Sequence, residues 1–201
     1  MNDPLRSPFG APRATALAAT FALLLGAAPA HAEIVLDTFG PGNTANGQFW
    51  SLNAAQSLAV PFTLTETSSV DTILTSISGT GTFSLNIVAN VGVLPGGDVL
   101  FSTVLTNPTA NVLVSGLGWT LGAGNYWLTS ATSAGPGPTW QGGAVPGTQW
   151  AFTQGSIWNL ASLGDAPAAR INVSPVPEPA TWLLMLGGAA LLGRRALRCA
   201  G

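Results

Sequence analysis

The stretch GTFSLNIVANVG, residues 81–92, sets Phe83, Leu85, Ile87, Ala89 and Val91 on alternate positions, with Thr82, Ser84, Asn86, Val88 and Asn90 between them. Side chains of a strand point to opposite faces with a period of two, so this pattern predicts a β-strand with one buried face. Val60, Phe62 and Leu64 alternate with Pro61, Thr63 and Thr65 in the same way. Strand-like runs recur at residues 34–39, 99–105, 111–117, 126–130, 150–153 and 170–173. Turn formers separate them at Gly40-Pro41-Gly42-Asn43, Pro95-Gly96-Gly97-Asp98, Gly122-Ala123-Gly124-Asn125 and Gly135-Pro136-Gly137-Pro138. Val70, Ile73, Leu74 and Ile77 have helical spacing, yet their neighbours are Thr, Ser and Asp and Gly79 ends the run, so it too reads as strand.

Many short strands with regular turns predict an all-β domain, an antiparallel β-sandwich of jelly-roll type. Residues 33–173 form it, within the usual size of one compact domain, roughly 100–150 residues. The sole cysteine, Cys199, lies far outside it, so packing rather than disulfides must hold the domain together. Over residues 33–176 Arg170 is the only base against Glu33, Asp37, Glu66, Asp71, Asp98 and Asp165, a net charge of −5. Nucleic acid is excluded as a partner, because counterion displacement from a polyanion needs clustered Lys or Arg.

Most enzyme chemistry is excluded as well. His31 is the only histidine, and residues 33–176 contain no His, Lys or Cys. That removes a histidine-dependent triad, a cysteine nucleophile, a Schiff-base lysine and the usual zinc sites. Gly79-Thr80-Gly81 and Gly116-Leu117-Gly118 lack the third glycine of a dinucleotide loop and read as turns. A pair of carboxylates working as in a glycosidase remains, drawn from Asp37, Glu66, Asp71, Asp98 and Asp165, against the plainer reading of turn and solvated-face acids. Asp and Asn oxygens are also Ca²⁺ ligands, but no EF-hand or nonapeptide spacing occurs, and no cofactor is expected. The expectation is a protein without catalysis.

Six tryptophans fall in the domain, Trp50, Trp119, Trp127, Trp140, Trp150 and Trp158. Core packing is the default reading for each. Exposed coplanar rings stack on sugar faces, and Trp140, Trp150 and Trp158 lie among the loop formers of GPGPTWQGG, PGTQW and GSIWN. They are the candidates for a carbohydrate-binding surface.

Both ends are apolar. Arg6 and Arg13 precede an apolar stretch at residues 14–28, and Ala30-His31-Ala32 supplies small residues at Ala30 and Ala32. Basic flank, apolar run and A-x-A site in that order predict a secretory signal peptide at residues 1–32, cleaved after Ala32 and routed through the general secretory pathway. At the other end, Pro177-Glu178-Pro179 closes a linker at residues 174–179 that joins neither a helix nor a central strand. Residues 180–193 follow without a charge; as a helix they span about 21 Å against a hydrocarbon core of roughly 30 Å. Trp182 at one interface and Arg194, Arg195 and Arg198 snorkelling at the other extend this short transmembrane helix. The arginines hold residues 194–201 in the cytoplasm and leave the domain outside, in contact with membrane lipid only through the tail. A permanent anchor and an ordinary buried helix are the alternatives.

The order Val176-Pro177-Glu178-Pro179-Ala180, apolar run, Arg194-Arg195 resembles the PEP-CTERM sorting signal of Gram-negative bacteria, with a slightly long ALRCAG after the arginine pair. The resemblance implies recognition of Pro177, Glu178 and Pro179 by an exosortase, a membrane-embedded cysteine-dependent transpeptidase. It also implies a single-pass inner-membrane intermediate, then a place at the cell surface or in the matrix beside exopolysaccharide. Ala55-Gln56-Ser57-Leu58, Leu94-Pro95-Gly96, LGAGNYW at residues 121–127 and Trp140 are similar to exported β-sandwich domains of the choice-of-anchor group, which implies a sandwich and no established activity.

Overall fold

A computed structural model describes residues 31–132, 138–161, 164–176 and 185–188. The predicted signal peptide up to Ala30 and most of the predicted transmembrane helix therefore lie outside the described residues, as does the Gly135–Gly137 turn. Residues 31–176 form one compact unit. Its strands are β1 (Glu33–Asp37), β2 (Phe49–Ser51), β3 (Leu58–Leu64), β4 (Ser68–Thr75), β5 (Ile77–Ser78), β6 (Thr82–Val91), β7 (Leu94–Thr106), β8 (Val112–Leu121), β9 (Gly124–Ala131), β10 (Thr139–Gln141), β11 (Ala151–Gln154), β12 (Ile157–Leu160) and β13 (Ala169–Pro175).

All pairings are antiparallel and build three sheets, ordered β1-β13-β4-β8, β12-β11-β3-β9-β6-β7 and β2-β10-β5. Eight of these strands (β1, β3, β4, β6, β7, β8, β9 and β13) stand in the order first-eighth-third-sixth in one sheet and second-seventh-fourth-fifth in the other. That is the jelly-roll arrangement, and the hairpin β11-β12 extends the second sheet beyond β3. The segment with helical spacing is strand β4, paired on one side with β13 and on the other with β8.

One core lies between the two large sheets. Val70, Ile73, Ile171 and Val173 from the four-stranded sheet meet Leu58, Val60, Phe83, Leu85, Ile87 and Leu128 from the six-stranded one. Each of these side chains is almost wholly removed from water. A buried Val, Leu, Ile or Phe contributes about 1.5–3 kcal/mol, which is the term a domain without disulfides depends on.

The alternation that predicted β6 holds from Phe83 to Ile87 and then breaks. Register shifts against β7 at Ile87/Val88 and Val88/Asn90 leave Val91 exposed, while Val88 is buried on the opposite face. There Val88 joins Ala59, Trp127 and Ala151 in a second cluster, with Leu94 and Trp158 packed against it. The six-stranded sheet curls until its two edge strands, β12 and β7, approach within 8 Å between Cα atoms. Its second face is thus partly covered.

Three sequence expectations are corrected. Pro95-Gly96-Gly97-Asp98 is a bulge inside β7, and the chain reverses earlier, at Gly92-Val93, where Gly92 takes φ 65°. Gly116-Leu117-Gly118 lies inside β8, where positive φ at both glycines accompanies a register shift against β4. Ser174 and Pro175, expected in the linker, belong to β13: they pair with Ser69 and Ser68, and the Val176 N–H donates to the Thr67 carbonyl at 2.9 Å.

Thr38, immediately after β1, knits distant segments together. Its hydroxyl donates to the Pro167 carbonyl at 2.7 Å and accepts from the Ala169 N–H at 2.8 Å, while its own N–H donates to the Ala169 carbonyl at 2.9 Å. A Thr38→Val substitution keeps the shape and strands the buried Ala169 N–H, at a cost of about 1–3 kcal/mol. Urea unfolding is expected to show a lower midpoint with an unchanged slope.

Candidate functional site

Trp140, Trp150 and Trp158 do not form a platform. Trp140 lies in β10 between β2 and β5, is fully buried, and donates its indole N–H to the Ala168 carbonyl at 2.9 Å. Trp150 is buried beside Trp50 and Phe152, with ring centroids 4.8 Å and 5.7 Å away. Core packing is the default reading for both, and loop-forming surroundings make them candidates for exposure; the default holds. Burial wins because these rings fill the end of a core that has no covalent cross-link. Trp158 is half-buried against the second cluster, with Trp127 among its members. The three rings therefore share no exposed face.

A different group of side chains converges at one end of the curled sheet. Pairing of β3 with β9 sets Thr63 opposite Asn125 and Pro61 opposite Trp127, and pairing of β6 with β9 sets Val88 opposite Trp127. The Thr63 hydroxyl donates to Asn125 Oδ1 at 2.8 Å. Asn90 accepts the Trp127 indole N–H at 2.7 Å and donates through Nδ2 to the Gly92 carbonyl at 2.6 Å. Pro61, Thr63, Asn90, Asn125 and Trp127, with Gly92 and Val93 of the β6-β7 turn and Gln149 just before β11, border an open groove of about 350 Å³. Among the described residues, no charged side chain lines it.

Sequence reading missed this groove. Its only sequence trace is the polar alternate of two strand patterns, Asn90 and Asn125, and nothing local shows that β3, β6 and β9 become neighbours.

The acids are dispersed. Asp37 pairs with Arg170 across the β1-β13 ladder at 2.8 Å, and Asp71 accepts from the Ser174 hydroxyl at 2.6 Å, both in the four-stranded sheet. Asp98 stands exposed in the β7 bulge, Glu66 is exposed between β3 and β4, and Asp165 is half-buried in the approach to β13. Among the described residues no group of three or more His, Cys, Asp or Glu is placed to hold a metal ion.

Pro177, Glu178, Pro179, Arg194, Arg195, Arg198 and Ala30 lie outside the described residues; Ala32 is described and exposed. Residues 185–188 are helical. No helix among the described residues is long and apolar enough to cross a membrane.

Residues 175–198 match the family model of the PEP-CTERM protein-sorting motif. No curated protein matches the chain. The match begins on the last residue of β13 and leaves out the sandwich, and no comparison supports the resemblance to choice-of-anchor domains. The chain carries a sorting signal for exosortase processing and is an exported protein directed to the cell surface.

Within the groove, Asn90 is the joint that fixes Trp127. Asn90→Ala leaves the indole N–H unpaired and is expected to cost about 1–3 kcal/mol in chemical denaturation. The Trp127 indole proton resonance is expected to shift at the same time.

Proposed function

We propose that this chain is a non-catalytic surface or matrix protein, held briefly in the inner membrane by residues 180–193 and released or transferred when an exosortase processes the segment. In this reading the mature sandwich stays outside the cell in association with exopolysaccharide. The sorting motif at residues 175–198, starting where β13 ends, is the single observation that carries the proposal. A non-catalytic role is supported by the lack of His, Lys and Cys across residues 33–176 and by carboxylates that are ion-paired, hydrogen-bonded or spread over separate elements. An acid-pair glycosidase instead requires two carboxyl groups about 5–9.5 Å apart in a cleft, and the groove described above is bordered by none.

Mass spectrometry of the C-terminus, in an exosortase-positive host and in its deletion strain, tests the processing step. A truncated C-terminus in the first strain and an intact one in the second is the expected result; an intact C-terminus in both removes the proposal. Glu178→Ala, which takes the lone charge from between the two prolines, is expected to reduce surface display several-fold in a quantitative blot while leaving export intact.

A further inference from the structure

We propose that the groove between the β6-β7 turn, the end of the β3-β9 ladder and Gln149 binds a neutral saccharide unit. The inference deepens the polysaccharide-associated reading above, but its physical grounds are the groove's own.

Charge decides the class of ligand first. Residues 99–164, which supply Asn125, Trp127 and Gln149, contain no charged side chain, and Pro61, Thr63, Asn90 and Val93 add none. A phosphate, a carboxylate or a metal cation would find no countercharge there, and burying an unpaired charge is unfavourable. An acyl chain fits poorly too, because amides and hydroxyls border the groove.

The hydrogen-bonding groups suit a polyol. Each side-chain amide offers both donors and an acceptor, the combination that adjacent sugar hydroxyls require because each hydroxyl both donates and accepts. Gln149 is exposed, and neither end of its amide has a hydrogen-bond partner among the described residues. Asn125 is exposed, and its carbonyl oxygen is held by Thr63 while its Nδ2 protons are available. Asn90 is held on two sides, by Trp127 and by the Gly92 carbonyl. The Asn125 and Asn90 amides are therefore oriented before a ligand arrives, which lowers the entropy lost on binding.

The apolar groups suit the same ligand. The Pro61 ring and the exposed Val93 side chain offer hydrocarbon surface for the C–H faces of a pyranose. A volume of about 350 Å³ is at the lower end of small-molecule sites, the scale of one or two sugar rings. Because the groove is open, a longer chain can pass through it.

The test uses the full-length chain in a detergent without a sugar headgroup. Neutral hexasaccharides of glucose, mannose and galactose, with oligogalacturonate as the charged control, are titrated by calorimetry. Saturable binding of at least one neutral hexasaccharide is expected. The double variant Asn125→Ala/Gln149→Ala should weaken it at least about fivefold, the scale of losing two hydrogen bonds of about 0.5–1.5 kcal/mol each. Both side chains are exposed, so the thermal midpoint should stay unchanged. If that variant unfolds, Val93→Arg, at an exposed turn position, serves instead by blocking the groove. Binding of none of the three neutral sugars overturns the inference, as does binding of oligogalacturonate alone or equal affinity in the variants. The readout does not involve sorting, so failure here leaves exosortase processing standing, and failure of processing leaves the groove standing.

Discussion

The domain closes on its last strand. β13 lies between β1 and β4, so the four-stranded sheet is split until residues 169–175 arrive to bond both neighbours. Ile171 and Val173 then complete the core from that side, and Asp37 meets Arg170 across a ladder that joins the two ends of the domain. Such pairing is non-local, and the chain entropy of bringing distant segments together must be overcome before the contacts stabilise it. The Thr38 hydrogen bonds lie at this junction, and Gly143 is pressed so closely on the Thr38 carbonyl that no Cβ fits there. The sorting segment starts at the end of this doubly paired strand.

Burial on both faces of the six-stranded sheet follows from its curl. A flat sheet would expose Trp127, Val88 and Ala151 to water; with β7 and β12 brought near each other, they pack together beneath Leu94 and Trp158. Small residues at Ala59 and Ala151 leave space for the Trp127 ring. The amide of Asn86, buried in this sheet, is paired at both ends: Ser102 donates to its Oδ1 at 2.7 Å, and its Nδ2 donates to Ser84 at 3.2 Å. Pairing is what makes its burial tolerable, since an unpartnered amide removed from water costs several kcal/mol. Trp127 continues the pattern through Asn90, and so the interior of the curl leads directly into the neutral groove at its end.

Charge has little part in holding the domain together. The Asp37–Arg170 pair is partly exposed and contributes less than about 1 kcal/mol. Solubility rests on Ser, Thr, Asn and Gln, and Thr63, Asn90, Asn125 and Gln149 also line the groove.

The sequence by itself determined that the domain is built of strands, because period-two alternation at Phe83, Leu85 and Ile87 and at Val60, Phe62 and Leu64 is a local property of the backbone. It also determined the sorting signal, a linear motif whose residue types and order carry the information. It failed where neighbours from elsewhere in the chain decide the outcome. Loop-forming surroundings suggested exposure for Trp140 and Trp150, yet strands distant in sequence enclose both rings. Glycines at 96–97, 116 and 118 suggested turns, yet partner strands continue past them and convert them into bulges. The groove was invisible for the same reason: Thr63, Asn90, Asn125 and Gln149 are far apart along the chain, and only the register of β3, β9 and β6 brings them to one place.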